Sequence, residues 1–302
     1  MADRARVTVW IAGGLGNQLF QYATARRLAL HNGVPLVLDH LSGFPRDFYK
    51  RKFLLGHFDI RASYVEPGEA FVSDWGRLRR MIRVWTNRRR PLERQTHLLE
   101  RERWFDPRML DLKVTRPLYL EGTFQDENYF LDIRDRLLEE LELRTAHDAR
   151  NVEVAQKIGS VEAVCLHVRR LHGVPNTKDA RPLAQSSPWS YLDDAYYQKA
   201  VDQIEQRIAN PYFFVFSDYA DPDWLRANVR TRHPIDLIAH NGADKDYEDF
   251  WLMGQCRHFI IANSTFSWWA AWLGRHPQKI VVAPKDAIGR MITSVPASWI
   301  QV

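Results

Sequence analysis

The first forty residues leave this chain few folds to choose from. Residues 6–11 read as a short apolar strand, followed at once by Gly13-Gly14-Leu15-Gly16-Asn17-Gln18. A largely apolar stretch at 17–31 has helical character, Gly33 stops it, and residues 34–39 form a second strand ending on Asp39. Two strands joined through a helix run in the same direction, because a parallel pair needs a crossover too long for a hairpin. The opening therefore predicts a doubly wound parallel sheet. It also imitates a dinucleotide fingerprint: Gly14-x-Gly16 is followed by an acid at the end of the second strand. Leu19 stands where the third glycine of that fingerprint belongs. An NAD-dependent oxidoreductase using Gly14, Gly16 and Asp39 is the alternative reading this segment leaves open.

The same rhythm returns in the second half. Helices are expected at 152–158, 193–209, 247–255 and 266–273, with a short one around Trp224. Strands are expected at 162–167, 212–216, 234–238, 258–262 and 279–283. Between the halves, a strand at 117–121 precedes a Leu- and Glu-rich helix starting at Asn128 or Asp132 and reaching Leu143. Polar residues 144–151 then mark a boundary. At 302 residues the chain has room for two domains, 1–148 and 149–302. Residues 171–190 form a loop longer than most compact domains carry, which suits a lid or an acceptor wall.

Residues 42–116 show less rhythm. Within them, 75–94 is rich in arginine and sets Leu78, Met81, Ile82 and Trp85 at helical intervals. One reading is a solvated amphipathic helix that packs its apolar face on the domain. The other is a peripheral foot on anionic lipid. No apolar run nears the ~20 residues of a membrane span, and the first residues lack a signal-peptide core. A cytoplasmic protein is expected, peripheral at most on the inner face of the cytoplasmic membrane. The net charge of +5 comes without a lysine tract or a repeated basic–aromatic pattern, so no nucleic acid is expected as partner and an anionic substrate suits the balance better. Cys165 and Cys256 lie far apart in apolar runs, as buried free thiols do. Neither has a second ligand at metal spacing.

Four polar clusters stand at predicted strand ends: 13–18, His167-Val168-Arg169-Arg170, Ser217-Asp218 and Asn263-Ser264-Thr265. In open α/β sheets, ligands collect outside the carboxyl ends of strands. A guanidinium there captures phosphate oxygens two at a time, and the start of a helix offers N–H groups to an anion. Arg169 and the helix opening at Ser264 thus suit a nucleoside diphosphate without a metal. Two acidic pairs, Asp221-Pro222-Asp223 and Asp244-x-Asp246, fit a metal-bound nucleotide instead, or simply turns and helix starts. Trp268, Trp269 and Trp272 either stack on a ligand or, the favoured reading, pack the helix on the sheet.

Gly14-Leu15-Gly16-Asn17-Gln18, His167-Val168-Arg169-Arg170, Phe216-Ser217-Asp218 and Asn263-Ser264-Thr265-Phe266-Ser267-Trp268-Trp269, in this order, resemble the motifs of the α-1,2-fucosyltransferases, glycosyltransferase family 11. The resemblance runs from the first strand to Ala283-Pro284-Lys285. It implies an α/β fold of GT-B type, two Rossmann-like domains facing across a cleft. It further implies an inverting, metal-independent transfer of L-fucose from GDP-β-L-fucose to the 2-hydroxyl of a terminal galactose in a surface glycan, lipid-linked where assembly occurs at the membrane. GDP-fucose would be a substrate rather than a resident cofactor, held mainly by the C-terminal domain, with the N-terminal domain on the acceptor side. By resemblance, Arg169 grips the β-phosphate, His167 and Asp218 contact the guanosine, and Asn263, Ser264 and Thr265 serve the diphosphate. Gly14, Gly16 and Asn17 belong to the glycine loop, where Asn17 either leans toward the reacting centre or caps the helix. The family has an aspartate two residues after His-x-Arg-Arg, where this chain has Leu171-His172. His172 is the candidate base in its place, Asp179 competes, and a mechanism without a strong base is the third option.

Overall fold

The computed structural model describes residues 4–102, 104–169, 171–172, 181–182, 192–218, 222–242, 244–285 and 294–302, with backbone alone at 171, 172, 181, 182 and 224. The chain divides into two compact units, Met1–Arg144 and Thr145–Val302.

In the first unit, β1 (Val7–Trp10), α1 (Leu15–Asn32) and β2 (Leu36–Asp39) are followed by β3 (Ser63–Tyr64), α2 (Asp74–Asn87), β4 (His97–Leu99), β5 (Leu118–Glu121) and α3 (Arg134–Glu140). The sheet order is β3-β2-β1-β5-β4, with every pairing parallel. Helix α1 begins two residues earlier than expected, capped by the extended backbone of Gly14. It stops at Gly33, whose left-handed backbone turns its N–H onto the carbonyls of Ala29 and Leu30. Most of α1 is buried, including polar Gln18, Gln21 and Thr24, which explains why its sequence carries no polar stripe. The expected helix ending at Leu143 is shorter. Two 3₁₀ turns precede it, and it ends at Glu140 so that Leu143 can bridge Phe58 and Arg144 can donate to the His57 carbonyl.

Helix α2 corrects the favoured reading of residues 75–94. It ends at Asn87, and it does not pack its apolar face: Trp75, Leu78, Met81, Ile82 and Trp85 are exposed. The face turned inward carries Gly76, Arg80 and Asn87. A Cβ at Gly76 would stand 3.0 Å from the Ala70 carbonyl and the Phe71 Cα, so any larger residue would have to push this approach apart by a few tenths of an ångström.

In the second unit, α4 (Ala149–Gly159) leads into β6 (Glu162–Val168), followed by a two-residue antiparallel hairpin, β7 (Leu171–His172) with β8 (Arg181–Pro182). The segment 171–190, expected to be all loop, thus contains a short hairpin. Then come α5 (Asp194–Glu205), β9 (Pro211–Ser217), α6 (Pro222–Asn228), β10 (Ile235–Ile238), α7 (Asp246–Gly254), β11 (His258–Ile260), α8 (Thr265–Leu273), β12 (Val281–Ala283) and β13 (Ile300–Gln301). Their parallel order is β10-β9-β6-β11-β12-β13. Side chains alternate across a strand. On β6, Val164, Leu166 and Val168 join a core with Tyr197, Val201 and Ile204 of α5. Cys165 and His167 therefore face the opposite layer, where the Cys165 thiol meets that of Cys256 and the His167 ring lies 6.0 Å from that of Phe266. Trp268, Trp269 and Trp272 are buried and packed on one another, as the packing reading expected. Among the described residues, no helix is long and apolar enough to cross a membrane.

Candidate functional site

Strand order locates the site in the second unit. From β6 the chain moves outward to β9 and β10, then returns to the other side of β6 to lay down β11, β12 and β13. The switch point, where the flanking connections diverge and leave a crevice, falls between β6 and β11. Their carboxyl ends carry the residues singled out from sequence. The β6–β11 register ends at Leu166 beside Ile260; three positions further along each strand stand Arg169 and Asn263. On the other flank, Val168 pairs with Ser217, which sets Asp218 level with Arg169. His167, Arg169, Ser217, Asp218 and the head of α8 thus share one edge of one sheet.

Helix α8 opens on that edge. Ser264 is its N-cap, its hydroxyl accepting from the Phe266 N–H at 3.3 Å. The hydroxyl proton is not used in that bond, so capping and donation to a ligand are compatible. Thr265 begins the helix, and both residues are buried. The His167 imidazole is also buried. Burial, and then the nearby Arg169 guanidinium, push its pKa down to about 3. The ring is neutral across the physiological range, so it offers hydrogen bonds rather than charge. Its Nδ1 is buried without a hydrogen-bond partner among the described residues, and so is Oδ1 of Asn263. An unsatisfied buried polar atom costs about 1–3 kcal/mol, and such atoms call for a water or a ligand. At the switch point, a bound ligand could meet both of them.

Sequence reading missed a neighbouring polar group at the head of α7. Asp249 accepts from Nδ2 of Asn241 at 2.7 Å, and Asn151 joins Asn241 and His240 at 3.0 and 2.6 Å. His147 stacks on Trp251 with ring centroids 3.6 Å apart and meets Glu248 at 2.9 Å. Burial raises Asp246 to about 6. Burial, opposed by the Asn241 hydrogen bond and assisted by Asp246 and Glu248, raises Asp249 to about 7. Carboxylates displaced this far cluster at functional sites. The signal available in the sequence was two aspartates three apart on a helix that follows a strand. Asp244, paired with Asp246 in the metal reading, is exposed, and among the described residues no three His, Cys, Asp or Glu side chains converge on one point. Asp221, Arg170 and Asp179 lie outside the described residues, as does the side chain of His172.

The carboxyl edge of the first unit is built differently. Gly13 has φ +79°, and a Cβ there would come within 2.8 Å of Asn17 Nδ2. Asn17 is not the helix cap, since Gly14 holds that position; it sits in the first turn and accepts from Gln125 Nε2 at 3.0 Å. Gln18 donates to the carbonyls of Gly13 and Lys52 at 2.9 and 2.8 Å and accepts from Leu54 N–H at 2.9 Å, clipping residues 52–54 to the glycine loop. Asp39 is buried and takes four hydrogen bonds: Leu41 and Ser42 N–H at 3.1 and 2.9 Å, the Ser42 hydroxyl at 2.6 Å and the Tyr119 hydroxyl at 2.6 Å. Gly43 lies against the end of β1, where a Cβ would fall 2.1 Å from the Ile11 carbonyl and 2.7 Å from Ala12 Cβ. The acid of the apparent dinucleotide fingerprint is thus consumed by its own loop, and that loop covers the strand end a pyrophosphate would need. The NAD reading of Gly14, Gly16 and Asp39 is corrected on this geometry.

The model of "Glycosyl transferase family 11" matches residues 90–291. An alpha-1,2-colitosyltransferase of Escherichia coli is 27% identical over 303 residues, covering 98% of this chain and 98% of the relative. The O-antigen biosynthesis glycosyltransferase WbnK of Escherichia coli is 29% identical over 291 residues, 91% and 92% of the two chains. The galactoside alpha-(1,2)-fucosyltransferase 1 of Rattus norvegicus is 28% identical over 282 residues, 88% of this chain and 63% of the relative. In fold, the chain is similar to the NodZ alpha-1,6-fucosyltransferase, with a TM-score of 0.53 at 16% identity, covering 93% and 95% of the two chains. It is also similar to Arabidopsis thaliana FUT1, with a TM-score of 0.52 at 13% identity, covering 94% and 72%. The architecture is of GT-B type, and the chain belongs to glycosyltransferase family 11.

Proposed function

We propose that this family 11 glycosyltransferase moves L-fucose from GDP-β-L-fucose to the 2-hydroxyl of a terminal galactose, forming an α-1,2 linkage with inversion. One observation carries the reading: Arg169, the neutral His167 and the Ser264–Thr265 helix mouth share the β6/β11 switch point, where two buried polar atoms have no described partner. A GDP diphosphate can accept from the His167 ring as an N–H donor, while Asn263 Oδ1 accepts from a hydroxyl or N–H of the nucleoside. The acceptor oxygen attacks the anomeric carbon from the face opposite GDP. The bond from that carbon to the β-phosphate oxygen breaks with its electron pair going to the phosphate, and the acceptor proton leaves to a base. As negative charge grows on the departing diphosphate, the Arg169 guanidinium and the N–H groups heading α8 stabilise it, a contribution normally among the largest in catalysis. Because the protein provides these positive groups, transfer is expected to persist in EDTA; loss restored by manganese would count against the reading. His172 is the proposed base. Asn17, held by Gln125, is assigned to the acceptor side with the rest of the N-terminal unit.

The test is incubation with GDP-fucose and a panel of β-galactosides, with the product linkage determined by NMR. An α-1,2 product supports the reading, and absence of transfer to every galactoside sinks it. A second donor follows from the name of the Escherichia coli relative, a colitosyltransferase aligned over 98% of this chain. Colitose is fucose without its 3-hydroxyl, so the two GDP-sugars share every phosphate and base contact. Direct competition between them decides: a site that hydrogen-bonds the 3-hydroxyl strongly rejects the sugar lacking it.

A further inference from the structure

Helix α2 is inside out. Its inward face is held by polar groups: Arg80 forms an ion pair with Glu121 and lies 4.5 Å over the Trp10 ring. Asn87 accepts from Thr96 N–H at 2.7 Å and donates to the Arg83 carbonyl at 2.7 Å. The outward face is apolar. Trp75, Ile82 and Trp85 are 74%, 52% and 71% exposed, and with Leu78 they recur at three- and four-residue steps, which places them on one stripe. Met81, 56% exposed, widens it. A soluble surface helix buries such a stripe; this one presents it, with an indole at each end.

Charge selects what can cover it. Between Asp74 and Glu93 the chain has seven arginines and no acid, more positive charge than the +5 of the whole chain, so the remainder is net acidic. Asp74, the one acid on the helix, is already paired with Arg77. Beyond the last turn, Arg88, Arg89 and Arg90 are exposed, and their side chains have no hydrogen bond or ion pair among the described residues. A second copy meeting this face would bring the same seven arginines, with Asp74 and Glu93 the acids of residues 74–93 to set against them, so like charge would dominate the contact. A bilayer with anionic headgroups offers acyl chains to the stripe, an interfacial zone to the tryptophans, and phosphates to the arginines.

We propose that α2 is a membrane-docking helix, lying in the plane of an anionic lipid surface with the Trp75–Trp85 stripe inserted and Arg88–Arg90 on the headgroups. The proposal rests on the first unit alone and is independent of which sugar the enzyme transfers, because its test reads binding and not activity. Full-length protein is sedimented with vesicles of phosphatidylcholine containing phosphatidylglycerol, and with phosphatidylcholine alone. Binding to the anionic vesicles is expected to be about tenfold tighter or more, and to weaken as salt rises. Trp75→Ser with Trp85→Ser is expected to abolish it, and Arg88→Gln with Arg89→Gln and Arg90→Gln to remove the preference for anionic lipid. Neither variant should change turnover on a soluble acceptor. Equal binding to both vesicles, or none, overturns the proposal. So does a dimer in solution that the tryptophan variant turns into a monomer, since the stripe then belongs to a second copy. If the variants do not fold, the wild-type comparison of the two vesicles still decides.

Discussion

Both units are parallel α/β sheets with a polar edge at the carboxyl ends of their strands, yet the edges are finished in opposite ways. In the first, Asp39, Gln18 and Asn17 spend their hydrogen bonds on neighbouring loops, and Gly43 lets one of those loops lie on the strand end. In the second, the His167 ring nitrogen and the Asn263 carbonyl are buried without described partners. The first edge keeps such atoms too, Trp10 Nε1 and His40 Nδ1, so what separates the halves is that its acid and glycine loop are engaged by their own neighbours, while the second presents an arginine and a helix mouth. The lesson is that a glycine-rich turn after a strand does not by itself make a phosphate site; the hydrogen-bond bookkeeping around it does.

The contrast can be broken from either side. The largest effect is expected at Arg169→Lys, which keeps the charge but loses the two-pronged donor: kcat/KM should fall about 10²- to 10³-fold with the melting temperature unchanged. Near-normal turnover would remove Arg169 from the mechanism. Asp39→Ala should do the reverse, lowering stability by about 2–4 kcal/mol because it strands the Tyr119 hydroxyl and two N–H groups. Denaturant melts measure that, while the affinity for GDP should not change; weaker GDP binding would mean the first edge is not purely structural. GDP itself should stabilise the chain by about 2.7 kcal/mol at a hundredfold excess over its dissociation constant, and NAD should not. A thermal shift with NAD and none with GDP would reverse the assignment.

The smallest effects are in pH dependence. The His167 pKa lies near 3 in the fold, below its unfolded value of about 6.5. Its contribution is therefore complete above about 6.5 and is lost as pH falls from there toward 3. Asp249 runs the other way: raised to about 7 from an unfolded value of about 3.9, it costs stability increasingly as pH rises from about 4 to 7. Asp249→Asn should flatten that upper slope by about 1–2 kcal/mol, and His167→Asn the acid one. Unfolding curves taken every pH unit would show both, and an unchanged slope in either variant would deny that residue its buried state.

Much of the architecture was legible. Strands that end in polar residues and helices that stop at glycine are local signals, and those at β1, β6, β9 and α8 lie within a few residues of expectation. The helix expected to reach Leu143 was longer on paper because its Leu–Glu pattern contains nothing to stop it; the stop comes from Phe58, eighty-odd residues upstream, which claims Leu143 for a β-bridge. Helix α2 misled for the same reason. Its apolar periodicity is plain, but periodicity cannot say which way a face points, and here Gly76, Arg80 and Asn87 anchor the polar side inward.

The residue sequence alone determined two repeats of the parallel α/β pattern, the position of a cationic strand end and a hydroxyl-rich helix start, and a family likeness carried by four ordered motifs. These are encoded in neighbours along the chain, where spacing and residue type suffice. Tertiary structure decided that Asp39 is spoken for while His167 and Asn263 are not, that Asp246 and Asp249 are half-buried carboxyls with raised pKa values, and that α2 shows its tryptophans to the outside. Each of those depends on which distant groups arrive to accept a hydrogen bond or cover a face, and one-dimensional order does not contain that.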